Sequence, residues 1–191
     1  SMAIMVDLNQ GWRMAGDVSP SLDPVGARRI AAELAEYGVL WVEEPLAGTD
    51  LRGLAALRAS APGVRIAGGE MTRTFAETLA ALDADAFDVY QGDVVLAGGM
   101  LRTRTVAELA LARNRWFTPH TWTNGLGPLA NLHVAAGAGS GRLQDPRGDL
   151  DVDVRPVGSR QAPVGDLDAA AKEVLAVGPE PRNVLRTDEV G

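Results

Sequence analysis

Val39-Leu40-Trp41-Val42-Glu43-Glu44-Pro45 is the stretch that decides the fold. Val39 to Val42 is apolar at every position and too short for a helix, so it reads as a parallel strand buried on both faces. It stops on two carboxylates and a proline. Just upstream lies a helix with readable ends: Asp23 as cap, Pro24 at the first helical position, Ile30, Leu34 and Tyr37 at helical spacing, and Gly38 where a left-handed terminator belongs. The same unit repeats outward in both directions. Ala3 to Val6, Val64 to Ala67, Ala86 to Tyr90, Trp116 to Thr118 and Arg142 to Gln144 are further short strands. Helices are expected over Leu51 to Ser60, from the capping box Thr74-Phe75-Ala76-Glu77 through Leu82, over Leu101 to Arg113 and over Gly127 to Ala138.

Alternation of this kind builds a parallel sheet with right-handed crossovers, either open and doubly wound or closed into a barrel. An open nucleotide-binding sheet needs a glycine-rich turn after its first strand, and Asp7-Leu8-Asn9-Gln10 stands there instead. The expected fold is therefore α/β, a TIM-like (β/α) barrel. Ser1-Met2 reads as an expression scar, residues 3–145 as the barrel, and residues 146–191 as a divergent, poorly packed tail in which only Leu167 to Val177 looks helical.

Composition narrows the function. The 191 residues carry 18 Lys+Arg against 25 Asp+Glu, a net charge of −7, with no basic stripe to displace counterions from nucleic acid. The chain has no cysteine, which excludes disulfides, thiolate metal sites and cysteine nucleophiles and fits a reducing, cytoplasmic setting. No apolar run approaches the ~18 residues of a membrane span.

Acidic groups fall at the ends of successive strands. Asp7, Glu43 with Glu44, Glu70 and Asp93 close the first four, and His120 follows the fifth. One such residue is usually a helix cap or a solvated loop charge. Five in unbroken order are not, because a parallel barrel opens all its strand C-termini onto one face. Three carboxylates gathered there repel one another unless a divalent cation compensates them, and hard oxygen donors without cysteine favour Mg²⁺ over zinc. Asp7, Glu43 and Glu70 are the expected metal ligands. Asp93 beside His120 can hold one imidazole nitrogen and leave the other as a base. His133, on an apolar helical stretch, reads as structural. Gly98-Gly99 reads equally as an anion-binding turn or a tight strand-to-helix turn, and Trp12, Trp41, Trp116 and Trp122 as packing, although Trp122 is close enough in sequence to His120 to line a pocket.

Taken together, Val6-Asp7-Leu8-Asn9-Gln10, Trp41-Val42-Glu43-Glu44-Pro45, Gly69-Glu70, Gln91-Gly92-Asp93 with Ala97-Gly98-Gly99, and Pro119-His120-Thr121-Trp122 resemble the enolase superfamily, within it the mandelate racemase subgroup. The resemblance covers roughly Ala3 to Ala136. It implies a modified barrel, of which this chain is equivalent to strands 3 to 8, without the N-terminal capping domain. It also implies Mg²⁺ on Asp7, Glu43 and Glu70, with His120 as base and Asp93 orienting it. The chemistry implied is abstraction of the proton alpha to a carboxylate through an enediolate. An acid-sugar dehydratase is expected first. A racemase or cycloisomerase of the same superfamily, or a catalytically inert truncated barrel fragment, is the alternative. Asn9 matches a position that touches substrate, and Gln144 stands where such proteins usually place a Glu, able to hydrogen-bond a substrate oxygen unless Asp145 takes the acid's place. The chain departs from the pattern in other ways. Lys172 is its single lysine, so no lysine base is present, and Gly11 to Pro20 is longer than the usual loop. The expected partner is a small carboxylate, a sugar acid, with neither nucleic acid nor membrane. Open strand edges predict a homo-oligomer.

Overall fold

The structure, a computed structural model, describes residues 3–18, 20–61, 63–121 and 125–138, together with the backbone of residues 142–144 and 151–153. Five parallel strands lie in the order β1-β2-β3-β4-β5: Met5–Asp7, Trp41–Glu43, Arg65–Gly68, Val89–Tyr90 and Trp116–Phe117. Each strand pairs with the next in sequence, in registers that set Asp7 beside Glu43 and Glu43 beside Ala67. A doubly wound sheet reverses its strand order at a switch point. This order never reverses, which is the progression of a barrel wall.

Helices α1 (Pro24–Glu36), α2 (Leu51–Ser60), α3 (Phe75–Asp83) and α4 (Met100–Ala112) fill the crossovers, and α5 (Leu126–Gly137) follows β5. Their ends are fixed by local chemistry. The Asp23 carboxylate accepts the Gly26 amide at 2.7 Å, and Asp50 accepts that of Gly53 at 2.9 Å. At α3 the box is complete: Thr74 Oγ1 accepts the Glu77 amide, and Glu77 returns to the Thr74 amide. Thr74→Ala should lower the unfolding free energy by about 1 kcal/mol, read from the urea midpoint at unchanged slope. Gly38 has φ +70°, as a helix terminator requires.

Burial divides along the strands with period two. Val42 and Ile66 face the helices and pack with Ala31, Leu54, Leu82 and Val106. Trp41, Ala67, Val89 and Trp116 form a separate inner cluster, with the Arg65 guanidinium 3.7 Å from the Trp116 ring centroid. Before β4, Arg58 and Arg115 both pair with Asp85 and Asp88, and Asp88 also accepts the Ile66 amide at 3.0 Å. This network ties the end of the sheet opposite the acidic residues.

Arg142–Gln144 forms a strand, β6, but not the parallel stave expected of it. It pairs antiparallel with β7 (Asp151–Asp153), inside the stretch read from sequence as a tail. Two facing runs with complementary registers satisfy each other's backbone groups without a crossover helix. The expected helix from Leu167 to Val177 and the side chains of Gln144 and Asp145 lie outside the described residues. Among the described residues, no helix is long and apolar enough to cross a membrane.

Candidate active site

Asp7 and Glu43 are the last residues of β1 and β2. Glu70 lies two residues past β3, and Asp93 and His120 each lie three past their strands. Parallel pairing brings all five to one end of the sheet. Gly69, at φ +106°, turns the chain there so that Glu70 comes back over the sheet end.

His120 stands at the centre of the group. Its Nδ1 is 3.2 Å from Asp93 Oδ2 and its Nε2 is 3.1 Å from Glu70 Oε2. Burial pushes the imidazole pKa down, but the hydrogen bond to Asp93 and the charges of Glu70, Asp93 and Glu43 outweigh it, and the net direction is up. With a carboxylate at each nitrogen, both ring nitrogens face an acceptor, which favours the cationic form. The ring gains a free lone pair at Nε2 only when Glu70 is drawn away.

Asp93 is 0% exposed. Burial pushes its carboxyl up, yet donors from His120, the Val95 amide and Asn131 more than offset this and hold it below the usual carboxylate range. Glu70 goes the other way, raised by burial and by Glu43, Asp7 and Asp93, while His120 opposes the rise.

Glu44, read from sequence as the second carboxylate closing its strand and not as a ligand, is a buried member of the group. It is 4% exposed with a left-handed φ of 44°, so the inward and outward alternation of β2 breaks at this residue. Its backbone carbonyl accepts the Gln10 amide at 3.0 Å, and Gly48 donates to the Gly11 carbonyl at 3.1 Å, clamping the loop after β1 onto the loop after β2. Gly11 leaves room for the Glu44 carboxylate, since a Cβ there would lie 1.9 Å from Oε1. Burial first, then the charges of Glu70, Asp7 and Glu43, push Glu44 up to about 7, and its Oε2 is buried without a partner.

The sign of the resulting pH dependence follows from linkage. A carboxyl raised from 4.5 to about 7 on folding contributes stability that is present below pH 4.5 and lost as pH rises through 7. The metal-free chain should therefore melt lower at pH 8 than at pH 5.5. Glu44→Gln should recover on the order of 3 kcal/mol at pH 8 and flatten the profile, as measured by thermal unfolding across that range. An unchanged slope in the variant would show that Glu44 is not the group responsible.

The donor set suits a divalent cation, because the charges of Asp7 and Glu43 help to raise the proton affinity of Glu44 and Glu70, and one buried oxygen of Glu44 has no donor. The side chains as they stand are not closed around one point: among the described residues, no group of three or more His, Asp or Glu is placed to hold a metal. Each of the three expected ligands has an oxygen engaged elsewhere. Asp7 Oδ1 accepts the Asn9 amide at 2.8 Å, Glu43 Oε2 accepts Trp41 Nε1 at 3.3 Å, and Glu70 Oε2 faces His120. The trio shares one end of the sheet, but its carboxylates have turned to local partners.

Asn9 sits beside Asp7 at φ 51°, exposed. His133, read from sequence as structural, is exposed on α5, where the buried positions are Gly127, Asn131 and Val134. Trp41 and Trp116 are packing residues as read from sequence. Trp122 lies outside the described residues. Asn131 was not singled out in the sequence; an asparagine within an otherwise apolar helical stretch is the signal that would have found it.

A family model described as enolase C-terminal domain-like matches residues 1–164. Among curated relatives, the D-galactarolactone cycloisomerase of Agrobacterium fabrum is 29% identical over 135 residues, 71% of this chain and 33% of its own length. The L-talarate/galactarate dehydratase of Salmonella typhimurium is 32% identical over 117 residues, 61% of this chain and 27% of its own. Of solved structures, the 3,6-anhydro-D-galactonate cycloisomerase from Zobellia galactanivorans superposes with a TM-score of 0.62 at 27% identity, covering 71% of this chain and 35% of that one. An L-talarate dehydratase from a Polaromonas species, complexed with Mg and L-glucarate, gives 0.55 at 30% identity, covering 63% and 30%. The chain thus spans a third or less of the length of the curated relatives it matches.

Proposed function

The chain belongs to the enolase C-terminal domain-like family, and on that premise we propose that its strand ends form the proton-abstracting half of a sugar-acid dehydratase. The observation that carries this reading is His120, bracketed by Asp93 on Nδ1 and Glu70 on Nε2. Asp93 holds the proton on Nδ1, which directs the Nε2 lone pair toward the site. Nε2 takes the proton alpha to the substrate carboxylate as that C–H bond breaks. The same nitrogen then returns a proton to the departing hydroxyl, which leaves as water. Asp7, Glu43 and Glu70 would hold a divalent cation, Mg²⁺ by the hardness of the donors, which when bound supplies positive charge beside the substrate carboxylate. Asn9, two residues past Asp7, would touch substrate, and Gln144 would hydrogen-bond a substrate oxygen. The dehydratases and cycloisomerases among the relatives support the reaction class.

Calorimetric titration of Mg²⁺ into the chain, with Glu43→Gln alongside, is the first test. Binding should weaken by at least about 100-fold in the variant, more than is usual for a group that merely orients a ligand. A panel of sugar acids in D₂O should then show 2-keto-3-deoxy products carrying deuterium at C3, and deuterium alpha to the carboxylate in recovered substrate where the first step reverses. Deuterium exchange without dehydration would favour a racemase or cycloisomerase, and neither binding nor exchange would leave an inert fragment.

A second reading, self-association, rests on the outer edge of β1. Among the described residues this strand pairs only with β2, and Ile4 and Met5 beside it are 52% and 43% exposed. Unpaired edges of this kind recruit another strand. Sedimentation at micromolar concentration should reveal a dimer or larger species, and a clean monomer removes this reading.

A further inference from the structure

We propose that Asn131, on α5, is a positioning residue for the imidazole base, acting through Asp93; the inference rests on the reading of His120 given above. Asn131 is 1% exposed, and its amide spans two partners on another element. Its Oδ1 accepts the Val94 backbone amide at 2.9 Å, and its Nδ2 donates to Asp93 Oδ1 at 3.2 Å. The orientation of the amide is dictated by its neighbours: a backbone N–H can only donate and a carboxylate can only accept, so the oxygen must face Val94 and the nitrogen Asp93.

The consequence lies in how the Asp93 carboxylate is divided. Oδ1 receives the Val95 amide at 2.8 Å as well as Asn131, so it is occupied by two donors. Oδ2 is left for His120 Nδ1. Two donors on one oxygen stop the carboxylate from turning about its Cβ–Cγ bond and keep Oδ2 aimed at the ring. An acceptor fixed at Nδ1 favours the tautomer with hydrogen on that nitrogen and the lone pair on Nε2. Glu70, at Nε2, competes for the opposite tautomer, so the geometry of Asp93 decides which form prevails. Asn131 thus reaches the site from a helix packed behind it, without facing substrate.

A merely structural role, stitching α5 to the loop after β4 through Val94, predicts lost stability and nothing more. The imidazole nitrogens distinguish the two. The chain has two histidines, and the exposed His133 serves as an internal reference in a long-range ¹H–¹⁵N spectrum recorded where both rings are neutral. The unaltered chain should show His120 mainly as the Nδ1–H tautomer. In Asn131→Ala that share should fall at least about twofold toward the Nε2–H form, with the His133 pattern unchanged. Where Asn131→Ala does not fold, Asn131→Ser carries the same test. Its hydroxyl is too short to span Val94 and Asp93 together, so the share should fall again. Should both variants unfold, the tautomer of the unaltered chain decides alone. A wild-type tautomer share in a folded variant, or an unaltered chain whose His120 is mainly the Nε2–H form, overturns the proposal. None of these measurements needs cation or substrate. Their failure is therefore distinct from an absence of deuterium exchange in the sugar-acid panel, which would strike the functional reading itself.

Discussion

His120→Asn should slow deuterium incorporation alpha to the substrate carboxylate by about 10²–10⁴-fold, the usual worth of a positioned general base. The substitution keeps a small polar side chain at the end of β5 but offers no nitrogen of suitable basicity. Mg²⁺ affinity should not weaken, because the ring occupies Glu70 Oε2 as a competitor of the cation. Losing the ring also removes the charge that lowers the Glu70 pKa, so the variant's binding should become more dependent on pH below neutrality. In the metal-free chain the hydrogen bond to Asp93 and the charges of Glu70, Asp93 and Glu43 raise the ring pKa against burial. Because the base accepts a proton only when neutral, exchange should rise with pH, and that limb should be missing in His120→Asn. Retention of exchange within tenfold of the unaltered chain would remove His120 from the role of base.

Asp93→Ala should cost about 3–5 kcal/mol of unfolding free energy, the larger effect on the fold. The carboxylate is fully buried and accepts from three donors, His120 Nδ1, the Val95 amide and Asn131 Nδ2. Truncation leaves the His120, Val95 and Asn131 donors without this acceptor, and Asn131 is itself 1% exposed. Each unmet donor costs about 1–3 kcal/mol, beyond the hydrogen bond itself. Asp93→Asn keeps the shape and one acceptor oxygen, and should cost less stability while still disturbing the His120 tautomer. Urea unfolding at constant slope measures both. A loss under about 1 kcal/mol in Asp93→Ala would mean that the surroundings collapse or that water reaches the site. Asp93 has a lowered pKa in the fold, so its contribution is present above the unfolded carboxyl value of 3.8 and is lost as pH falls through the lower folded value. That places its acid limb opposite in sign to the profile of Glu44.

Much of the architecture is local, and the sequence carries it. The cap of α1, the box of α3 and the left-handed Gly38 are decided within a few residues, which is why the helix ends come within a residue or two of expectation. Strand order follows once the barrel is chosen over the doubly wound sheet, because successive strands of a parallel barrel pair with their neighbours through one crossover helix. Beyond β5 that reasoning fails. Arg142–Gln144 was assigned its strand character correctly and its partner wrongly, because whether a strand pairs with β5 or with β7 depends on contacts its own residues do not encode.

At the site, the sequence by itself determined which oxygen donors and which imidazole gather at the strand ends, since a parallel sheet delivers every strand terminus to one face. The tertiary structure alone decided how they are joined. Glu70 pairs with the ring rather than completing a trio, Glu44 is turned inward by a left-handed backbone, and Asn131 arrives from a helix 38 residues beyond the carboxylate it holds. The physical reason is range. Backbone periodicity fixes where a side chain begins, whereas the direction of its last bond is set by whichever donor or charge packs within ~3 Å of it, and those neighbours come from anywhere in the chain.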